Sequence, residues 1–247
     1  MSESTTIIPY TQTFVAKAGI YSYFSSKHLC IPQKCRTFAD MKTLVNPDET
    51  PRAHAYRMWM NAPMPMVTFT KTLDVTHLRR LSCKRDIKFT ALMAWCIGKA
   101  AGRVPEFFLL PVQGQLYRYD SLAINVIVKN ARGGINSCDI AFSEDFRQFY
   151  ADYRRLTRQA AQQCESSFME DRMVIGTSAL VATELDSVTN QYTDLFCNPM
   201  VIWSRYHRGF LKTTMAVSFQ FHHVMMDGGP ASLFLHYLQE TVREVRV

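Results

Sequence analysis

Two adjacent histidines with an acid four residues further on, in His222-His223-Val224-Met225-Met226-Asp227-Gly228, are the residues of this chain best suited to chemistry. An imidazole titrates near neutrality, so it can take a proton from a hydroxyl or thiol and hand it on. The aspartate could orient such a base, or the three side chains could hold a metal ion. Two plainer alternatives stand beside these. Histidines at the end of a strand are often hydrogen-bonded structural residues, and Asp before Gly is common turn chemistry.

The elements that must position this group can be read from the flanking pattern. Met215, Val217, Phe219 and Phe221 alternate with Thr214, Ala216, Ser218 and Gln220, a period of two that predicts a strand with one apolar face. Continued through the histidines, the alternation sends His222 and His223 to opposite faces. That disfavours a shared metal ion, and no metal site is expected. It gives His223 the face of Phe219 and Phe221, where its ring would be partly desolvated. Asp227-Gly228-Gly229-Pro230 reads as a turn, with Pro230 suited to the first position of a helix carrying Phe234, Tyr237 or Leu238, Thr241 or Val242, and Val245 on one face.

Earlier segments alternate between the two types of element. Met66–Leu73, Gln115–Tyr119, Leu122–Lys129, Val174–Ala182 and Met200–Tyr206 are predicted strands. Val75–Cys83, after a capping Asp74, and Phe89–Ala101, which lacks proline and is apolar almost all round, are predicted helices. Phe146, Phe149, Tyr150, Tyr153 and Leu156 place a long amphipathic helix over Asp145–Cys164. The run Asn46-Pro47-Asp48-Glu49-Thr50-Pro51 is rich in turn residues and marks a boundary. Residues 1–45 lack a clear period and are assigned to an irregular or partly stranded N-terminal extension, residues 46–247 to one α/β domain.

Composition narrows the functional classes. The 247 residues are 47% hydrophobic and 20% charged, too apolar for a disordered chain. No apolar run is long enough to span a bilayer, and the polar start Met1–Thr6 does not resemble a secretory signal, so no membrane partner is expected. The seven cysteines are odd in number and form no C-x-x-C pair, which argues against a disulfide framework or a zinc ribbon and for a reduced, cytoplasmic setting. The net charge of +7 favours anionic partners. Its cations are dispersed in pairs such as Arg79-Arg80, Lys84-Arg85 and Arg154-Arg155, rather than in the dense stripe nucleic acid would need, so no nucleic-acid partner is expected. A phosphate-bearing small molecule needs only a few of them.

The segment Gln220-Phe221-His222-His223-Val224-Met225-Met226-Asp227-Gly228 resembles the Q-x-H-H-x-x-x-D-G signature of the chloramphenicol acetyltransferase family, and a similar motif occurs in the dihydrolipoyl acyltransferase cores. Lys88-Phe89, Asp120-Ser121, Asp145-Phe146 with Gln148-Phe149, and Ser178-Ala179-Leu180 fall in the family's order, so the likeness spans roughly Arg52 to Glu244. It implies a two-layer α/β sandwich with a mixed sheet, assembled as a homotrimer with active sites between subunits. It implies an O-acetyltransferase with acetyl-CoA as co-substrate, no permanently bound cofactor, and a small hydroxylated acceptor, chloramphenicol first. The matched roles are His223 as general base, Ser178 as oxyanion donor from a neighbouring subunit, Asp227 paired with Arg52 as support for the histidine loop, and Tyr206 beside the bound substrates.

The family pattern is not matched everywhere. Gly229-Pro230 stands where Phe-His is usual, and Ile202 where a threonine precedes the matched tyrosine. Met58, Trp59 and Met60 stand where phenylalanine and tyrosine are more usual near the acceptor. These departures keep open an acyltransferase with another acceptor; a non-catalytic binding module on the same fold is a further alternative, against which the joint presence of His223, Ser178, Asp227 and Arg52 speaks.

Overall fold

The computed structural model describes residues 42–193 and 196–247. The expectation for residues 1–41 lies outside the described residues. Residues Lys42–Val45, at the end of the expected extension, form strand β1, which pairs antiparallel with β4 (Gln115–Tyr119). With β3 (Leu109–Val112) this makes a small sheet of order β1-β4-β3. The β3–β4 turn is built on Gln113 and Gly114 at φ +49° and +77°, a left-handed pair that suits glycine at the second position.

The main sheet carries β2 (Met66–Asp74), β5 (Leu122–Lys129), β6 (Ile135–Ala141), β7 (Met173–Leu180), β8 (Met200–Ser204) and β10 (Thr213–His222), in the order β2-β10-β8-β7-β5-β6. The short β9 (His207–Arg208) pairs with the start of β10. β7 runs parallel to β5 and β8, and the other neighbours are antiparallel, so the sheet is mixed as expected.

One face of the sheet is covered by α2 (Thr76–Arg85), α3 (Phe89–Ala101), α4 (Phe146–Gln163) and α5 (Gly228–Glu244). The apolar half of the β10 alternation, Met215, Val217, Phe219 and Phe221, is buried against them. Phe219 packs on Phe107 and Phe234 with ring centroids 5.7 and 4.6 Å apart. α3 is buried on nearly every side, which explains a sequence apolar all round. It can approach the sheet because Gly98 has no side chain: a Cβ there would sit 2.3 Å from the Phe142 ring.

Two helix starts differ from the sequence expectation. Asp74 does accept from the Thr76 N–H at 3.1 Å, but the residue directly before α2 is Val75. Pro230 is the third residue of α5 rather than the first, because Asp227 is already the N-cap. The carboxylate of that cap is engaged elsewhere.

Candidate active site

β10 stops at His222. His222 lies on the same face as Gln220 and is 1% exposed. Its Nδ1 accepts the Val224 N–H at 3.1 Å, which fixes the proton of the neutral ring on Nε2. His223 is the first residue of the turn that follows β10. Its N–H donates to Pro65 O at 2.8 Å, tying the turn to the segment that leads into β2. The next three side chains, Val224, Met225 and Met226, are fully buried and anchor the loop in apolar surroundings.

Arg52 binds this loop from the opposite end of the sequence. It precedes α1 (Ala53–Trp59), a seven-residue helix. Its Nε donates to Val224 O at 2.9 Å, and Nη2 donates to His223 O at 2.7 Å and to Asp227 Oδ1 at 2.9 Å. Nη1 completes a two-pronged grip on the carboxylate through Oδ2. The planar guanidinium fits this set, because it offers a fixed fork to a carboxylate while its remaining donors reach carbonyls. Arg52 is 8% exposed, so the alternative of a solvated surface arginine falls. The hydrogen bonds from Arg52 hold the Asp227 carboxyl below its ordinary pKa against a smaller opposing effect of burial.

The His223 ring is held from two sides. Trp59, the last residue of α1, stacks on it with centroids 4.8 Å apart and planes 5° from parallel. Nδ1 lies 3.2 Å from Asp227 Oδ1. That approach is too oblique for a directed hydrogen bond, and we read it as an electrostatic contact. Nδ1 is buried, so Nε2 is the ring nitrogen an incoming group can reach. The arrangement can accept a proton from a hydroxyl presented at Nε2 while the ring is kept from turning.

The structure brings His223, Asp227 and Arg52 together, and it does not bring Ser178 or Tyr206 to them within one chain. Ser178, on β7, shares a row with Ile202 of β8, Ser218 of β10 and Thr70 of β2, on the face away from the helices. Ser218 precedes His223 by five residues, ~17 Å along a strand. Ser178 is half-buried and its hydroxyl has no hydrogen-bond partner among the described residues. Tyr206 lies beyond the far end of β8. His207 pairs with Thr214, nine residues before His223, or ~30 Å along the strand.

Tyr206 sits in a cleft lined also by Lys88, Phe89, Thr90, Arg205 and Arg208. Arg208, whose Nη2 donates to the phenol oxygen at 3.5 Å, holds the phenol below its ordinary pKa, and Arg79 adds to the effect. The cleft is basic and has an aromatic wall, which suits an anionic ligand with a flat ring.

Burial holds His222 neutral down to a pKa of about 4, with the neighbouring His223 adding to the shift. An unfolded histidine titrates near 6.5, so between these values the unfolded chain binds a proton that the folded chain refuses. Stability is therefore complete above about pH 6.5 and falls as pH drops toward 4, by about 3 kcal/mol in all. Urea unfolding at pH 7 and pH 4.5 is expected to show this loss, and His222→Gln to flatten it. An equal slope in the variant would contradict the assignment.

Among the described residues no group of three or more His, Cys, Asp or Glu is placed to hold a metal ion. No described helix is long and apolar enough to cross a membrane. Sequence reasoning placed Trp59 near the acceptor only by resemblance and missed its contact with His223, since seven residues of α1 are too few to show a period.

The sequence model of the chloramphenicol acetyltransferase family matches residues 43–239. This chain belongs to that family. Chloramphenicol acetyltransferase 2 of Escherichia coli is 22% identical over 177 residues, covering 70% of this chain and 83% of the relative. The Haemophilus influenzae protein of the same name is 20% identical over the same shares. Among solved structures, a chloramphenicol acetyltransferase superposes with a TM-score of 0.71 at 17% identity, covering 82% of this chain and all of the other. Dihydrolipoamide acetyltransferase of Azotobacter vinelandii superposes at 0.56 and 15% identity, covering 77% and 85% of the two chains. The acetyltransferase fold expected from the motif is thereby shown.

Proposed function

We propose that this chain is a CoA-dependent O-acetyltransferase that moves the acetyl group of acetyl-CoA to a hydroxyl of a small molecule. Chloramphenicol is the first acceptor to test. His223 is the general base. The observation that carries this reading is the Arg52 clamp: one guanidinium engages Asp227, His223 O and Val224 O, so the loop bearing the imidazole is fixed before any substrate arrives. Holding a base in position is worth most when the reacting groups need no further ordering.

In the reaction His223 Nε2 takes the acceptor's hydroxyl proton as the oxygen attacks the thioester carbonyl. The tetrahedral oxyanion accepts a hydrogen bond from the Ser178 hydroxyl. Collapse breaks the carbon–sulfur bond, and the leaving thiolate of CoA takes the proton back from His223. Asp227 and Arg52 support the site without touching the reacting atoms. The separation of Ser178 from His223 along the sheet supports a homotrimer in which the serine of one copy faces the histidine of the next. Tyr206 and its basic cleft bind the phosphate-bearing end of acetyl-CoA, which is a co-substrate; no cofactor is permanently bound.

A cytoplasmic antibiotic-resistance enzyme is the setting this reading fits. The stack of Trp59 on His223 and the Gly229-Pro230 start of α5, both departures from the family pattern, favour a second reading with the same chemistry and a different hydroxyl acceptor. Release of free CoA from acetyl-CoA, first with chloramphenicol and then with other hydroxylated compounds, tests both. Acetyl-CoA binding without transfer to any acceptor would favour a binding module instead.

A further inference from the structure

The hairpin joining β9 to β10 turns at Gly209-Phe210-Leu211-Lys212, closed by the Gly209 N–H donating to Lys212 O at 2.9 Å. Phe210 is fully exposed and Leu211 is 78% exposed. Single apolar residues on a surface need no explanation, but two in succession at the outermost point of a hairpin form a protrusion that no described part of the chain covers. Arg208 and Lys212 flank the pair. Arg208 and Arg79 both approach the Tyr206 ring, at 5.6 and 6.0 Å, and Lys88 lines the same cleft. Among the described residues none of these four cations has a carboxylate within ion-pair distance, whereas the nearby Glu184 is taken by Arg205 and His207.

We propose that this hairpin is a lipid-contact element that docks the protein on an anionic membrane surface. Phe210 and Leu211 enter the boundary between headgroups and acyl chains, and Lys212 beside them meets the headgroup charges. Charge complementarity selects this occupant, since Lys212 beside the two apolar side chains suits an anionic headgroup. Size selects it too. Two side chains on a narrow tip cover far less than the roughly 1,200 Å² of a stable protein interface, whereas interfacial lipid binding is built from a few apolar side chains backed by basic residues. The attachment is peripheral, since no described helix crosses a bilayer. Sequence pattern alone points to no membrane partner, because two apolar residues at a turn make neither a span nor an amphipathic period. The inference does not rest on the acetyltransferase reading.

The test is sedimentation of the full chain with vesicles of phosphatidylcholine alone and of equal parts phosphatidylcholine and phosphatidylserine. The wild type is expected to pellet with the anionic vesicles, less so at high salt, and not with the neutral ones. The double variant Phe210→Ser, Leu211→Ser is expected to lose at least ~10-fold in affinity, and Lys212→Gln a smaller, about fivefold, amount. Both changes are at exposed positions of the turn. Failure of the wild type to bind anionic vesicles would overturn the proposal, as would unchanged binding by the double variant. A changed solution mass of the double variant would also overturn it, because the tip would then be a contact between copies.

Discussion

His223→Ala is expected to lower kcat/KM for acetyl transfer by about 10²- to 10⁴-fold, the range of a positioned general base. The fold should survive, because the His223 side chain is 28% exposed and its N–H, which binds Pro65 O, remains. The loss should fall on kcat more than on the KM for acetyl-CoA, since the proposed donor cleft around Tyr206 lies at the other end of the sheet. Ser178→Ala should also be slow, for want of the oxyanion donor. If the two residues meet across copies, co-expression of His223→Ala with Ser178→Ala should restore activity. In a random cyclic trimer about a quarter of the sites then pair an intact histidine with an intact serine. A wild-type rate in His223→Ala, or no recovery in mixed trimers, would contradict the assignment.

Removing Arg52 is expected to damage stability and turnover together. Arg52→Ala leaves Val224 O and His223 O without their donor, and a buried acceptor left unmet costs about 1–3 kcal/mol. The Asp227 side chain is 53% exposed and can rehydrate, so it adds less. A total loss of about 2–4 kcal/mol follows, measurable as a shift in the urea midpoint. Turnover should fall by about 10²-fold, because the loop that aims the imidazole is no longer held. Arg52→Lys keeps the charge but cannot reproduce the fork, so most of both losses should persist. If the lysine variant matched the wild type, charge alone would suffice and the clamp would have no special role.

The parts of this chain legible in sequence were those where one face decides the pattern. β10 declares itself because Met215, Val217, Phe219 and Phe221 all enter the core, and α4 because its buried aromatics recur at helical spacing. β6 was not legible, since Asn136, Ser137 and Asp139 look like loop residues. They are buried because they satisfy one another and their neighbours: Asn125 Nδ2 donates to Asp139 Oδ1 at 2.6 Å, and the Ser137 hydroxyl donates to Asn125 Oδ1 at 3.0 Å. α1 was missed for its shortness.

The site divides in the same way. Spacing alone singled out the two histidines and Asp227, but it could not choose between a turn aspartate and an ion pair. Arg52 is 175 residues from Asp227, and only the resemblance joined them before the structure did. The pairing of β10 with β2 carries one step past the strand, since His222 faces Met66 and the His223 N–H donates to Pro65 O. The stack of Trp59 on His223 joins residues too far apart in sequence for spacing to reveal it. Ser178 and Tyr206 have no local signal, since a half-buried strand serine and a cleft tyrosine are common.

Release of free CoA from acetyl-CoA in the presence of chloramphenicol, wild type beside His223→Ala, tests the central claim most directly. Turnover that depends on acceptor is expected in the wild type, with near-complete loss in the variant. Equal release by the two proteins, or acetyl-CoA bound by the wild type with no transfer to chloramphenicol or any other hydroxyl acceptor, would contradict it.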